Sequence, residues 1–125
     1  MRVLVDSSVW IDYFRSANQT DELDQLIDNN LVFVNDLILT ELIPFLRLQN
    51  QIVLIDIINE VARLPLSINW QQIQTFQFIC LKSGINGIGI PDLIIVQNAI
   101  QTDSMIFSLD KHFKLMQDRL NFSLY

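Results

Sequence analysis

The stretch RVLVDSS at residues 2–8 contains the pattern from which the fold of the chain can be argued. Its first part, Arg2 to Val5, predicts a short buried strand that ends at Asp6. The serine pair that follows supplies hydroxyls that can cap a helix over residues 9–14. A strand that passes directly into a helix is the repeating unit of α/β folds.

The same alternation of strands and helices continues along the chain. Because parallel strands need a crossover connection, usually a helix, it predicts an α/β fold in which a parallel sheet carries helices on both faces. In chain order, the remaining predicted elements are a helix over 21–27, a strand over 31–34, a helix from Asp36 to about Leu48 with Asn35 and Asp36 at its cap, a helix over 52–64, a possible strand over 64–68, a helix over 70–82, a helix over 92–102 after Pro91, a strand over 105–109 and a short helix after Asp110.

Length and composition predict one domain over residues 1–125. The chain is 50% hydrophobic and 18% charged, which excludes a disordered or fibrous protein. Its apolar runs are too short to span a membrane, and Asp6 interrupts the N-terminus before an export signal can develop. The single cysteine, Cys80, lies among apolar residues and is expected to be a buried, reduced thiol. We therefore expect a soluble, cytoplasmic protein with no membrane partner.

Charge restricts the chemistry that the chain can perform. Its net charge of -6 argues against a protein that binds nucleic acid through a broad basic surface. With one histidine, His112, a two-histidine acid-base pair and any multi-histidine metal site are excluded. Carboxylates are the remaining candidates.

Four carboxylates are candidates for one site. Asp6 and Asp110 each follow a predicted strand, and the carboxyl ends of parallel strands form the edge where α/β sheets bind ligands. At 100° per residue, Glu41 falls inside the apolar arc of its helix, where an unpaired carboxylate costs several kcal/mol. Asp92 falls near the middle of the buried face of its own helix. That helix is predicted to bury Leu93, Ile95, Val96, Ala99 and Ile100 and to expose Gln97, Asn98, Gln101 and Thr102.

Three of these acids also have ordinary structural explanations. Asp92 can complement the dipole of a helix in its first turn, Asp110 can cap the following helix, and Asp6 can be a turn residue. Glu41 has no such explanation, because a residue in the middle of a helix cannot cap it. Acids close enough to repel one another are a natural site for Mg²⁺ or Mn²⁺.

Four segments around these acids resemble the four acidic motifs of PIN domains, most closely those of the VapC-type toxins of bacterial toxin-antitoxin pairs. The resemblance agrees in order, spacing and total length and covers essentially the whole chain. It departs from the family where Pro44, Phe45 and Leu46 replace a frequent glycine. The segments are Val5 to Ile11, Leu39 to Leu42, Ile90 to Ile95 and Phe107 to Phe113.

The resemblance implies a metal-dependent endoribonuclease that hydrolyses RNA with metal-activated water. Its catalytic and metal-binding residues would be Asp6, Glu41, Asp92 and Asp110, with Mg²⁺, or alternatively Mn²⁺, as cofactor. Ser8 matches a small polar residue near the metal, and Ser108 matches the serine or threonine two residues before the last acid. The implied partners are RNA, a small cognate antitoxin and a second copy of the chain.

Other residues and functions remain open. His112 is expected to lie on the surface rather than to bind metal, and Arg15, Lys111 and Lys114 are candidates to hold RNA phosphates. Helices that are apolar around most of their circumference, over residues 37–48 and 52–62, predict exposed apolar surface for a homodimer or an antitoxin.

The main alternative is a non-catalytic PIN-like module that binds protein or RNA. A haloacid dehalogenase-type phosphatase would need an aspartate where the chain has Ser8. A receiver domain would need adjacent acids near the first strand, and these are absent.

Overall fold

The computed structural model describes residues 1–15 and 20–125. Within these ranges the chain forms a four-stranded sheet and seven helices. The elements, in chain order, are β1 (Val3–Val5), α1 (Ser7–Arg15), α2 (Thr20–Asp28), β2 (Val32–Phe33), α3 (Asp36–Leu48), α4 (Ile52–Asn59), α5 (Trp70–Lys82), α6 (Ile90–Gln101), β3 (Met105–Phe107), α7 (Lys111–Leu120) and β4 (Ser123–Leu124).

All pairings in the sheet are parallel, and the strand order is β2-β1-β3-β4. Val3 pairs with Val32 on one side and with Met105 on the other, so β1 lies inside the sheet. All three residues of β1 have no exposed surface, as their continuous apolar run predicts. The predicted α/β fold with a parallel sheet is therefore confirmed.

Two predictions about the middle of the chain are wrong. The helix that begins at Ile52 ends at Asn59 rather than at residue 64, and residues 64–68 form no strand. The reason lies in the pairing of Val34, whose N–H donates to the carbonyl of Ala62 and whose carbonyl accepts from Leu64 N. Residues 62–64 form this single bridge beside β2, so their backbone groups are not available for helical hydrogen bonds.

The C-terminal strand β4 was not predicted. After α7, Asn121 adopts a left-handed conformation with φ of 58°, which ends the helix and redirects the chain. Beyond Phe122, Ser123 and Leu124 then pair with β3. A strand of two residues carries no periodic signal, so only the neighbouring strand identifies it.

Helix α3 follows the predicted path in spite of Pro44. The side chain of Asn35 accepts a hydrogen bond from Ile38 N at 2.8 Å and caps the helix. Pro44 cannot donate to the carbonyl of Thr40, but Thr40 lies on the exposed side of the helix, where water can reach it. The departure from the family pattern therefore leaves the helix unbroken.

The polar face predicted for α6 is confirmed at Gln101, which is exposed, but is wrong for Gln97 and Asn98. Gln97 and Asn98 are each only 1% exposed, whereas Ile100 is 38% exposed. The segment after α4 covers this side of the helix, and the buried amides bond to it. Gln97 Nε2 donates to Asn69 O at 3.0 Å, and Asn98 Nδ2 donates to Pro65 O at 2.9 Å.

The buried apolar residues of the helices and strands form one hydrophobic core. Cys80 is 1% exposed within it, as predicted, and burial raises the pKa of its thiol. In the two described ranges, no helix combines the length and the apolar character that a membrane crossing requires.

Candidate metal centre

Asp6 lies at the carboxyl end of β1 and is only 5% exposed. Its backbone N–H donates to Phe107 O at 2.9 Å, which continues the pairing of β1 with β3. Its carboxylate oxygen Oδ2 accepts hydrogen bonds from the hydroxyls of Ser8 and Ser108, each at 2.9 Å. Two neutral donors therefore orient this buried carboxylate without neutralising it.

The two serines connect the ends of β1 and β3. Ser8 Oγ accepts from Leu109 N at 3.0 Å, and Ser108 Oγ accepts from Asp110 N at 3.0 Å. Because each hydroxyl accepts a backbone N–H, its single proton remains for the carboxylate of Asp6. Ser8 was expected to cap α1, but it lies in the first turn of that helix and its hydroxyl serves this junction instead.

Asp110 has the capping role that its sequence position predicts, and it also belongs to the acidic group. Its Oδ1 accepts from His112 N at 3.0 Å and caps α7. Its side chain, Asp92 and His112 each offer a ligand atom within 4.8 Å of the other two. A capping role therefore does not exclude a second role for this carboxylate.

His112 was expected on the surface, but it is half-buried beside the acids. Its Nδ1 lies 3.3 Å from Asp110 Oδ1. The signal in the sequence is its position two residues after a capping aspartate, which brings the backbone of His112 to the carboxylate. That signal is weak, because most residues two positions after a cap point away from it.

Asp92 lies in the first turn of α6 and is half-buried. Burial, together with the charges of Asp110 and Asp6, raises the pKa of its carboxyl to about 6, against the opposing effects of His112 and of a backbone hydrogen bond from Gly89. A carboxylate that only complemented the helix dipole would have a lowered pKa. Desolvation and repulsion therefore outweigh the dipole at this residue.

Glu41 is exposed, so the prediction that it is buried in the apolar arc of α3 is wrong. Its side of the helix is open to solvent rather than covered by the core, and Pro44 and Leu48 on the same side are exposed as well. Partial burial nevertheless raises the pKa of its carboxyl, and Asp6 and Asp92 raise it further. The carboxylate therefore lies in the same electrostatic neighbourhood as the other acids.

Asp6, Glu41, Asp92 and Asp110 thus form one group of mutually repelling carboxylates, called the acidic cluster below. Among the described residues, Arg63 forms an ion pair with Asp36, and His112, which is charged only when protonated, lies beside Asp110. No described lysine or arginine forms an ion pair with the cluster. The ligand atoms that lie close enough together to share one cation belong to Asp92, Asp110 and His112, and Asp6 and Glu41 lie outside that group. Carboxylate oxygens with one imidazole fit a divalent cation.

Solved structures share the fold of the chain at low sequence identity. A chain of VapBC2 from Rickettsia felis, bound to a DNA fragment from the promoter, matches with a TM-score of 0.78 and 18% identity over 100% of this chain and 98% of that chain. A chain of FitAcB from Neisseria gonorrhoeae matches with a TM-score of 0.74 and 16% identity, covering 98% and 96%. A chain of DNA-bound VapBC from Salmonella typhimurium matches with a TM-score of 0.74 and 14% identity, covering 99% and 96%.

No curated protein sequence matches the chain. A protein family does match, over residues 3–118, and this range contains all four residues of the acidic cluster. The match covers nearly the whole chain and agrees with the parallel sheet and its helices. The chain belongs to the PIN domain family.

Proposed function

We propose that the chain is a divalent-metal-dependent endoribonuclease and the toxin of a VapC-type toxin-antitoxin pair. Its catalytic and metal-binding residues are Asp6, Glu41, Asp92 and Asp110. The observation that carries the proposal is the acidic cluster itself: Asp92 and Asp110 offer ligand atoms within 4.8 Å of each other, beside His112, and the charge of Asp6 raises the pKa of both Asp92 and Glu41. A divalent cation would offset the repulsion between these carboxylates.

Each part of the cluster has a distinct task in this proposal. Asp6, held by two serine hydroxyls, is the rigid ligand, and Asp92 provides the second from the start of α6. Glu41, which is exposed on α3, would orient the attacking water or bind the ion. Asp110 contributes through its free carboxylate oxygen, because Oδ1 is engaged by the backbone of α7.

Mg²⁺, or Mn²⁺ in its place, would supply Lewis-acid activation of water and positive charge beside the scissile phosphate. The side chains of the cluster would hold the ion, and no protein nucleophile is needed because water is the attacking group. Hydrolysis in this arrangement leaves a 5'-phosphate and a 3'-hydroxyl. The class of products is therefore a testable part of the proposal.

An apolar groove supports a protein partner. A cavity of about 390 Å³ lies between α1 and α4, and Trp10, Phe14 and Ile57 contribute to its wall. Ile57 is 53% exposed, and Ile52 and Val53 on the same helix are 70% and 71% exposed. Such a surface is typical of protein interfaces.

The similar chains were solved in VapBC complexes. We therefore assign this groove to an apolar segment of a small cognate antitoxin. A homodimer formed through other exposed apolar residues, and action in the cytoplasm, complete the proposal.

The function is tested by incubating the purified chain with RNA in Mg²⁺, in Mn²⁺ and in EDTA. We expect cleavage with either metal, none in EDTA, and loss of cleavage by orders of magnitude in Asp92→Asn. Asp118→Asn is the matched control, because Asp118 is an exposed acid on α7 outside the cluster. RNA that remains intact with metal, or is merely bound, would favour the non-catalytic module instead.

A further inference from the structure

Glu41 and Phe45 lie on the same side of α3. They are four residues apart, which places them one above the other and about 6 Å apart along the helix axis. Glu41 is exposed and Phe45 is half-buried on this side of the helix. The ring of Phe45 is thus one helical turn from an acid of the cluster.

Arg15 lies over this ring. The guanidinium carbon of Arg15 is 5.8 Å from the centroid of Phe45, within the range of a cation–π interaction. Arg15 is the last described residue of α1, a helix that begins at Ser7, directly after Asp6. Helix α1 therefore starts at the acidic cluster and places Arg15 against the helix that carries Glu41.

The side chain of Arg15 is exposed to solvent. Among the described residues, no ion pair involves it. Its contact with the aromatic ring restricts the side chain without using its five N–H donors. A planar, oriented guanidinium is suited to bidentate binding of a phosphate.

The charge of the chain makes such a cation necessary for an RNA substrate. Lysine and arginine number 8 against 14 acidic residues, so no general basic surface attracts the RNA backbone. The acidic cluster itself repels phosphate wherever a cation does not compensate it. An arginine held against Phe45, one helical turn from Glu41, offsets this repulsion at one position.

We propose that Arg15, held against Phe45, binds a phosphate of the RNA strand that flanks the cleaved bond. This inference rests on the proposed function and adds a substrate-binding residue to it. It distinguishes Arg15 from Lys111 and Lys114, which the sequence alone makes equal candidates to bind RNA phosphates. The contact with Phe45 makes Arg15 a positioned donor rather than a mobile surface charge.

The test compares Arg15→Ala with Arg119→Ala, which removes the same charge from the exposed last turn of α7. With a single-stranded RNA oligonucleotide and Mg²⁺, we expect Arg15→Ala to raise KM about tenfold and to leave kcat within about twofold. In the cleavage-deficient Asp92→Asn background, it should lower the slope of log affinity against log salt by about 0.7 to 1. Arg119→Ala should change neither quantity.

Two further variants examine the role of the ring. Phe45→Leu keeps an apolar side chain on α3 and should raise KM while preserving the salt slope, because the charge remains. Arg15→Lys should do the same, and it replaces Arg15→Ala if the alanine variant does not fold. Equal KM values and salt slopes for the Arg15 and Arg119 variants would overturn the inference.

These outcomes separate the inference from the function on which it rests. If the unmodified chain does not cleave RNA with metal, the proposed nuclease fails. If it cleaves RNA and Arg15→Ala changes kcat but not KM, the nuclease stands and the phosphate-binding role of Arg15 is wrong.

Discussion

Asn35 and Asn98 form a hydrogen bond in the interior that links the two helices bearing Glu41 and Asp92. Asn35 Nδ2 donates to Asn98 Oδ1 at 2.9 Å, and the two residues are 0% and 1% exposed. Asn35 also caps α3, while Asn98 donates to Pro65 O. One buried amide pair therefore sets the position of α3 against α6.

Replacement of this amide should destabilise the domain. In Asn98→Ala, the fully buried amide of Asn35 loses its partner and the carbonyl of Pro65 loses a hydrogen bond, so we expect the free energy of unfolding to fall by about 2–3 kcal/mol. Urea denaturation measures the change. Gln101→Ala removes an exposed amide from the same helix and should cost less than about 1 kcal/mol. Equal stability of the two variants would show that the buried pair is not structural.

The raised pKa of Asp92 predicts that stability of the metal-free protein depends on pH. The carboxyl ionises near pH 6 in the folded state and near its usual 3.8 when unfolded, so the folded state binds more protons between these values. Stability contributed by this residue is therefore lost as the pH rises from about 4 to about 6.

Asp92→Asn should accordingly stabilise the metal-free protein at pH 7.5, by about 1–2 kcal/mol after allowance for solvent screening, and have little such effect near pH 3.5. Urea denaturation in EDTA at the two pH values checks this. Asp118→Asn should show no comparable pH dependence. A loss of stability at pH 7.5 in Asp92→Asn would instead support a favourable interaction with the helix dipole.

Ser108 should be needed for its hydroxyl rather than for its size. Ser108→Ala removes one of the two donors to the buried carboxylate of Asp6 and the acceptor of Asp110 N. We expect unfolding free energy to fall by about 1–3 kcal/mol and RNA cleavage to fall about tenfold. Ser108→Thr keeps the hydroxyl and should retain most of the activity. Similar losses in both variants would indicate a steric role.

Divalent cations should stabilise the folded chain. A ligand that binds only the folded state contributes about 2.7 kcal/mol when its concentration is a hundred times Kd, so saturating Mg²⁺ or Mn²⁺ should raise Tm. Glu41→Gln should reduce that rise, whereas Glu22→Gln, on the exposed side of α2, should not. Scanning calorimetry in EDTA and in metal measures both. An unchanged rise after all four acids are replaced would place the ion elsewhere.

The groove between α1 and α4 should bind the partner independently of catalysis. Ile57→Glu places a charge in the apolar groove, so we expect loss of co-purification with the proposed antitoxin when the chain is expressed together with its neighbouring gene. RNA cleavage by the isolated variant should remain, since Ile57 is outside the acidic cluster. Leu115→Glu, at an exposed position of α7, is the control. Retained co-purification in the Ile57 variant would argue against this groove.

Capping residues predicted where α3 and α7 begin, because a cap and the helix that it starts are neighbours in the sequence. Asn35 caps α3 through the N–H of Ile38, and Asp110 caps α7 through that of His112. Helix α5 begins and ends where its periodicity predicts. The weak points were β4 and the end of α4, each of which depends on a pairing with a distant strand or bridge.

The acidic cluster could be predicted only in part. Asp6 follows β1 and Asp110 follows β3 after two intervening residues, so the parallel sheet brings these two acids to one edge. The prediction that Glu41 is buried was wrong, because periodicity identifies the apolar arc of a helix but not the part of that arc that the rest of the chain leaves exposed. The proximity of His112 to Asp92 was missed, since their separation in the chain carries no local pattern.

The sequence by itself determined the parallel α/β fold, the order of the acids along it and the helix starts, because alternation and capping involve neighbours in the chain. Only the tertiary structure decided that Glu41 is exposed, that Asn98 is buried and that Arg15 lies over Phe45. These outcomes depend on which distant segment covers each helix face. The cost of burying a polar side chain depends on whether the covering segment offers it a hydrogen-bond partner. The environment of each side chain is therefore defined only when the whole domain is folded.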